Sequence, residues 1–304
     1  MTNLLDCFGQ SDRGRKRRIN EDQFLIVDLD ELSDATVESG DTIAEDSQER
    51  NSLGVLLLVA DGVGGAQAGD RASAIVANTV LSELLSQKEK LAGQEHDELL
   101  RALPEVCHRA LVENVARHPE HRGLGTTLTL AHFVWPRLSL VHVGDSRCYL
   151  QRNSTIRRLT HDQTMAEYLV DQGLLDPQEA QSSQLRHVLR SVVAGGDCEM
   201  QPEVRQLVLK PGDRLLLCTN GLTEKVSDDE IREELRSATN AHQACERLIH
   251  AAQDAGTTDD TTAVVARLRD IAVPVNEAVA ISLKQDHSAL WNPVAETAVE
   301  VLAG

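Results

Sequence analysis

Aromatic residues are scarce in this sequence. They make up 2% of the 304 residues, whereas hydrophobic residues as a whole make up 41%. The hydrophobic core must therefore be built almost entirely from aliphatic side chains. The chain is long enough to bury such a core, either in one large domain or in two modest ones.

Long hydrophobic runs are also absent. No run approaches the roughly 18 residues of a membrane-spanning helix, and residues 1–10 lack the charged and then apolar profile of a signal peptide. The six cysteines form no Cys-x-x-Cys pair and no zinc-type spacing with histidine, so we expect scattered, reduced thiols. These absences predict a cytoplasmic protein that does not associate with membranes.

Basic residues are fewer than acidic ones, 30 against 48, and the formal net charge is −18. This balance argues against nucleic acid or an anionic membrane as the main partner. The run from Arg13 to Arg18 is a basic exception. It is either a solvent-exposed loop, a nucleic-acid patch, or the source of one arginine that binds a phosphate. Residues 28–50 are strongly acidic and are expected to form a loop or a disordered insertion.

A hydrophobic run at residues 55–60 ends abruptly at Asp61 and predicts a buried strand. Glycines follow at positions 62, 64 and 65. A carboxylate at a strand end, beside backbone that can adopt a positive φ, is suited to binding a hard cation. The carbonyl of Gly62 could turn toward the same cation. The alternative is a plain strand-to-helix turn with a surface acid, and this stretch alone leaves both interpretations open.

The hydrophobic spacing predicts two long helices, at residues 68–85 and 97–117. Pro104 lies inside the second helix and predicts a kink or a later start. The remaining pattern alternates short strands with short helices. Strands are predicted at residues 23–29, 125–131, 138–143, 148–150, 204–209, 214–218 and 263–268, and helices at 165–172, 177–181, 228–235 and 241–253.

Turns that carry an acid or an amide recur at the ends of these strands. They are Glu21-Asp22, Asp61-Gly62, Gly144-Asp145, Asn220-Gly221 and Asp259-Asp260. Carboxylates gathered on one rim of a sheet repel one another unless a divalent cation neutralises them. Oxygen ligands without histidine or cysteine favour Mg²⁺ or Mn²⁺ over zinc. Two such ions could polarise a phosphoryl group and activate a water molecule.

The order of these motifs resembles that of the metal-dependent serine/threonine protein phosphatases of the PPM, or PP2C, type. The resemblance spans residues 5–268 and includes Asp-Gly-x-Gly-Gly at 61–65, Gly-Thr-Thr at 125–127, Gly-Asp-Ser-Arg at 144–147 and Asp-Asp-x-Thr at 259–262. It implies an α+β fold, a four-layer α-β-β-α sandwich of two antiparallel sheets flanked by helices. It also implies a phosphatase domain over residues 1–270, with a flap at about 160–195. Residues 271–304 are then a C-terminal extension of unknown role.

The resemblance also implies a chemistry and a set of site residues. Two Mn²⁺ or Mg²⁺ ions, with a weaker third, would hydrolyse phosphoserine and phosphothreonine through a metal-bridging hydroxide that attacks phosphorus directly. Phosphorylated proteins are the implied substrates, and a cognate serine/threonine kinase is a further implied partner. Arg17 and Asp61 are the implied catalytic residues, and Arg17 would bind the phosphate. The implied metal ligands are Glu21, Asp22, Asp61, Gly62, Asp145, Asn220 and Asp259.

Three positions depart from the family pattern. Asn220 replaces a ligand aspartate and should lower metal affinity, whereas Asp260 replaces an asparagine and returns a negative charge nearby. Val63 stands where some members carry a histidine proposed as a general acid. Asn220 leaves a rival hypothesis open: a binding module with the phosphatase fold that recognises a phosphoprotein without turnover. Hydrolysis of a small phosphoester is a more distant alternative.

Overall fold

The structure is a computed structural model that describes residues 4–35, 52–63 and 69–269. The predicted C-terminal extension and most of the acidic segment lie outside these ranges. So do the glycines at positions 64 and 65 and the first residue of the helix predicted at 68–85. No helix within them is long and apolar enough to cross a membrane.

The strands of the described residues are all paired antiparallel and form two sheets. They are β1 (Leu5–Asp12), β2 (Asp22–Asp28), β3 (Val55–Val63), β4 (Gly125–Thr126), β5 (Leu128–Val134), β6 (Arg137–Val143), β7 (Arg147–Arg152), β8 (Thr155–Arg158), β9 (Val193–Ala194), β10 (Glu203–Val208), β11 (Arg214–Cys218) and β12 (Thr261–Leu268). One sheet has the order β10-β6-β5-β3-β4-β9, with β2 also paired to β3. The other has the order β1-β12-β11-β7-β8.

The helices of the described residues connect these strands. They are α1 (Leu29–Ala35), α2 (Gly69–Ser86), α3 (Lys88–Ala92), α4 (His96–Arg117), α5 (Met165–Asp171), α6 (Pro177–Ser182), α7 (Asn220–Thr223), α8 (Asp228–Ser237) and α9 (Ala241–Asp254). Two short 3-10 helices lie at Pro119–His121 and Gln184–His187. The predicted flap region therefore holds α5, α6 and the second 3-10 helix.

The two faces of β3 show how the layers stack. Leu56 and Leu58 pack in one aliphatic cluster with residues of α2 and α4. Leu57 and Val59 are equally buried and, because side chains alternate along a strand, point to the opposite face. On that face β3 contacts β11 and β12 of the other sheet. A second cluster packs α8 and α9 on the outer side of the five-stranded sheet. The predicted four-layer α+β sandwich is confirmed.

The start of the acidic segment is a helix, where the sequence predicted a loop or disorder. The carboxylate of Asp28 accepts hydrogen bonds from the backbone N–H groups of Asp30 and Glu31, at 3.1 and 3.4 Å, and caps α1. Leu29 is fully buried, and the Asp30 carboxylate accepts the N–H of Leu53 at 2.7 Å. Two acids of the segment predicted to be a loop or disordered therefore accept hydrogen bonds from backbone N–H groups.

A helix boundary and an unpredicted strand also differ from the sequence expectation. Helix α4 begins at His96 and runs through Pro104, so the predicted later start is wrong; the proline ring is buried within the helix. Strand β1 was not predicted, because its mixed polar and apolar residues show no clear alternation. It becomes a strand by pairing along its whole length with β12, a contact between the two ends of the domain that no local pattern could reveal.

Candidate metal centre

The pairing of β2 with β3 brings two predicted metal ligands together. Asp22 lies directly opposite Asp61 in the strand register, and both side chains are buried. The carbonyl of Glu21 accepts the N–H of Gly62 at 3.1 Å, which extends the pairing by one further contact. Two acids that are far apart in sequence therefore lie next to each other on neighbouring strands.

The Asp22 carboxylate is held by two threonines, one on β12 of the other sheet and one directly after β11. Its Oδ2 accepts hydrogen bonds from Thr219 Oγ1 at 2.8 Å and from Thr262 Oγ1 at 2.6 Å. Its Oδ1 is buried and has no hydrogen-bond partner. Since buried carboxylate oxygens are normally satisfied, an unpaired one indicates that another group belongs there.

The Gly-Thr-Thr motif holds Asp61 by its backbone. The N–H of Asp61 donates to Thr127 Oγ1 at 2.9 Å, and the Asp61 carbonyl accepts the hydroxyl of Thr126, also at 2.9 Å. Thr127 Oγ1 also hydrogen bonds to Ser146 Oγ at 2.8 Å. The motif therefore links the Asp61 strand to the turn that carries Asp145.

Asp145 and Asn220 contact each other directly. Asn220 Nδ2 donates to Asp145 Oδ2 at 3.1 Å, while Asp145 Oδ1 and Asn220 Oδ1 are buried without a hydrogen-bond partner. Asn220 begins helix α7, so the predicted turn at this strand end is in fact the first residue of a short helix. The amide relieves a repulsion that two carboxylates would create here, and it still presents one free oxygen to the pocket.

Arg17 joins two more of the predicted ligands. Its Nε donates to Asp259 Oδ1 at 2.7 Å, and its Nη1 donates to Glu21 Oε2 at 2.9 Å. The Arg17 side chain is still 39% exposed, and it lines the pocket. The residue predicted to bind phosphate thus lies beside two of the acids predicted to bind metal.

Gly62 is required for a different reason from the one predicted. It does not have a positive φ. Instead, a Cβ atom at this position would lie 2.2 Å from the carbonyl oxygen of Gly69 and 2.7 Å from that of Glu21. Strand β3 also continues to Val63 instead of ending at Asp61, because Gly62 and Val63 pair with β4. Close approach of three backbone segments, and not a turn, accounts for the glycine.

The acids open onto a pocket of about 510 Å³. Its acidic lining faces a basic rim that includes Lys16, Arg17, Arg18 and His187. The rim is exposed, whereas Asp61 and Asp145 are buried. The pocket therefore combines a negative floor with positive groups at its mouth, an arrangement suited to a cation bound together with an anion.

Burial makes the charged state of these acids costly. It raises the pKa of Asp22 to about 7 and that of Asp145 to about 6. It also raises the pKa of Asp61 well above its ordinary value, and the charges of Asp22, Asp145 and Asp259 raise it further. A bound divalent cation would reverse this balance, because it stabilises the charged carboxylates.

The donor set fits a hard divalent cation. Three buried oxygens without partners, on Asp22, Asp145 and Asn220, lie in a region where every predicted ligand is an oxygen. Within the described ranges, no three acidic, histidine or cysteine side chains are arranged as a ready metal cage. Two of the predicted ligands, Glu21 and Asp259, form ion pairs with the Arg17 guanidinium instead.

Sequence reasoning missed the hydroxyl groups that position the acids. Thr219 and Thr262 hold Asp22, and Ser146 connects the turn of Asp145 to Thr127. The only signal was adjacency: each of these residues stands within two positions of an acid or amide at a strand end. Their hydrogen bonds cross between sheets or turns, so spacing along the chain could not identify them.

Comparison with known proteins identifies the family of this chain. A sequence model described as "Protein phosphatase 2C" matches residues 38–271. Asp61, Gly62, Asp145, Asn220 and Asp259 lie inside the match, and Arg17, Glu21 and Asp22 precede it. The chain therefore belongs to the protein phosphatase 2C family, as its motifs suggested.

Individual relatives agree with this family assignment. The chain is 37% identical over 215 residues to the serine/threonine protein phosphatase PstP of Mycobacterium tuberculosis. The aligned region covers 71% of this chain and 40% of PstP. It is 28% identical over 257 residues to the serine/threonine phosphatase stp of Listeria monocytogenes, covering 84% and 93% of the two chains. The crystal structure of the PstP catalytic domain in complex with two manganese ions is 33% identical, with a TM-score of 0.69, covering 88% of this chain and 99% of that one. The match thus spans less than half of full-length PstP.

Proposed function

We propose that this chain is a Mn²⁺- or Mg²⁺-dependent protein phosphatase that acts on phosphoserine and phosphothreonine. The observation that carries the proposal is that Asp61, Asp145, Asp259 and Arg17 line one pocket, that Asp22 lies directly opposite Asp61, and that Asp22, Asp145 and Asn220 each keep a buried oxygen without a partner. Two bound divalent ions would polarise the phosphoryl group and lower the pKa of a water molecule. The family membership and the manganese complex of PstP support this choice of metal.

The residues take distinct roles in this proposal. Asp22, Asp61, Asp259 and Glu21, with the Gly62 carbonyl, would hold the two principal ions directly or through water. Asp145 and Asn220 would hold a weaker third ion, because the two side chains are in contact and each keeps an unpaired oxygen, but only one of the two groups is charged.

Arg17 would bind two phosphate oxygens in a bidentate manner. Its guanidinium pairs with Asp259 and Glu21 in the structure. When the metal ions bind, these two carboxylates would rotate toward the ions and release the guanidinium. The freed guanidinium N–H groups would then face the substrate. Arg17 thus exchanges carboxylate partners for a phosphate of the same charge sign, at the exposed mouth of the pocket.

Replacement of Asp61 tests the proposal. We expect Asp61→Ala to lose Mn²⁺-dependent hydrolysis of a phosphothreonine peptide and of a chromogenic phosphomonoester. Asp254→Ala is the matched control, since Asp254 is an exposed acid on α9, outside the pocket. Wild-type activity in the Asp61 variant would show that the mechanism is wrong. Activity on the phosphomonoester but not on phosphopeptides would favour a small-phosphoester hydrolase.

The binding-module alternative depends on Asn220. Mn²⁺ titration of wild type and Asn220→Asp, with turnover measured in parallel, separates the two hypotheses. We expect clear activity in both chains, with a lower Mn²⁺ requirement in the variant because it adds a charged ligand. A wild type that is silent at every Mn²⁺ concentration, and is rescued by the aspartate, would support the binding module.

A further inference from the structure

We propose that Asp260 is a positioning residue of the metal centre, which holds the Arg17 segment in place and supplies behind it the negative charge that Asn220 lacks. This inference rests on the metal centre of the proposed function. It concerns an acid that does not line the pocket and that is not among the predicted ligands.

Both oxygens of Asp260 are used, and both accept backbone hydrogen bonds. Oδ1 accepts the N–H of Gly14 at 2.9 Å, and Oδ2 accepts the N–H of Glu21 at 2.8 Å. The side chain is 3% exposed. An asparagine has a single acceptor oxygen, and its amide N–H₂ would face one of these donors. The observed pair of hydrogen bonds therefore requires the carboxylate.

These two donors bracket the segment that carries Arg17 and Glu21. The segment is pressed against the residues just before Asp260: a Cβ atom at Gly14 would lie 2.4 Å from the carbonyl oxygen of Thr258. The N–H of Lys16 also points to that carbonyl, at 3.5 Å. Asp260 thus ties both ends of this loop to the start of β12, and it holds the backbone that carries Arg17 and Glu21, two residues that line the pocket.

The start of helix α7, which carries Asn220, lies against the same residue. A Cβ atom at Gly221 would lie 2.0 Å from the carbonyl oxygen of Asp260, and Thr257 Oγ1 donates to the Gly221 carbonyl at 3.0 Å. The neutral amide at position 220 and the added carboxylate at position 260 are therefore on contacting backbone segments. Compare a chain with aspartate at position 220 and asparagine at position 260. Here the negative charge is on a residue that does not line the pocket instead of on one that does, while the total charge is the same.

Direct measurement of Mn²⁺ affinity tests the inference. Isothermal titration calorimetry and the electron paramagnetic resonance signal of free Mn²⁺ give the dissociation constant for wild type, Asp260→Asn, Asn220→Asp and the double variant. Loss of a residue that orients metal ligands typically weakens metal binding by roughly 10–100-fold, so we expect Asp260→Asn to raise the dissociation constant by about tenfold or more. The double variant should bind Mn²⁺ more tightly than Asp260→Asn, because the charge returns to the pocket wall.

Asp30→Asn is the matched control. Asp30 also accepts a remote backbone N–H, that of Leu53 at 2.7 Å, but it lies outside the pocket. We expect this variant to lose thermal stability while its Mn²⁺ affinity stays at the wild-type value. If Asp260 had only a structural role, Asp260→Asn would behave like this control: its thermal stability would fall and its Mn²⁺ affinity would stay at the wild-type value.

Three outcomes would overturn the inference: unchanged Mn²⁺ affinity in Asp260→Asn, a double variant no better than Asp260→Asn, or Mn²⁺ binding seen only in the chains that carry Asn220→Asp. The proposed function fails separately. If Mn²⁺ binding follows the expected order but no chain hydrolyses phosphopeptides, the positioning role of Asp260 stands and the phosphatase assignment does not.

Discussion

Asp22 shows how much a single carboxylate can depend on both sheets. It belongs to the seven-stranded sheet, yet its hydrogen-bond donors, Thr219 and Thr262, belong to the other sheet or its edge. Hydrogen bonds to a charged group contribute more to stability than neutral ones. At this residue, therefore, the site and the packing of the two sheets depend on the same contacts.

Replacement of Thr262 by valine removes one donor from Asp22 without changing the side-chain volume much. We expect the free energy of unfolding to fall by about 1–3 kcal/mol, because the hydrogen bond to a buried carboxylate is lost. Urea denaturation of the metal-free protein measures this change. Thr155→Val, at an exposed position of strand β8, is the control and should have little effect. Equal stability of the two variants would contradict the role assigned to Thr262.

At the scale of elements, a histidine pair connects three parts of the fold. His132 on β5 hydrogen bonds through Nδ1 to His96 Nε2, at 2.9 Å, at the start of α4. Its Nε2 donates to the carbonyl of Leu53, at 2.6 Å, just before β3. When the His132 ring is neutral and its Nε2 carries the proton, Nδ1 accepts a hydrogen bond from His96 Nε2. The packing of α4 on the sheet thus depends on a protonation state.

This arrangement predicts a pH dependence of stability. Burial, and then the charge of His96, lowers the pKa of His132 to about 4. Because the folded-state pKa lies below the unfolded value, the stabilisation is complete above pH 6.5 and is lost as pH falls toward 4. Its upper limit is about 3 kcal/mol.

Urea denaturation at neutral pH and at mildly acidic pH, above the lowered pKa of His132, measures this loss. We expect His132→Gln to be less stable than wild type at neutral pH and to lose less stability on acidification. His250→Gln is the control, since His250 is exposed on α9. An acid-induced loss as steep in His132→Gln as in wild type would assign the effect to other groups.

At the scale of the whole molecule, the two sheets bring mutually repelling acids together, so metal should stabilise the entire domain. Binding to the folded state alone adds about 2.7 kcal/mol per site when the free ion is at about 100 times its dissociation constant. We expect Mn²⁺ to raise the thermal unfolding temperature and EDTA to reverse the rise. Differential scanning calorimetry measures the shift. Asp61→Ala should lose most of it, and an equal shift in that variant would place the ion elsewhere.

The sequence by itself determined the class of fold, the acids of the candidate site and their order. These properties are local: a hydrophobic run ends at Asp61, and each acid-bearing turn has its own short motif. Helix α2 and most strands were likewise predicted within a few residues, because their hydrophobic periodicity is strong.

Only the tertiary structure decided which atoms meet. The pairing of β1 with β12, the hydrogen bonds of Thr219 and Thr262 to Asp22, and the contacts of Asp260 with Gly14 and Glu21 all join residues from opposite ends of the domain. Such contacts are set by how two sheets stack and where their ends meet. A pattern read along the chain reports only neighbours, and for that reason it identified the acids but not the groups that hold them.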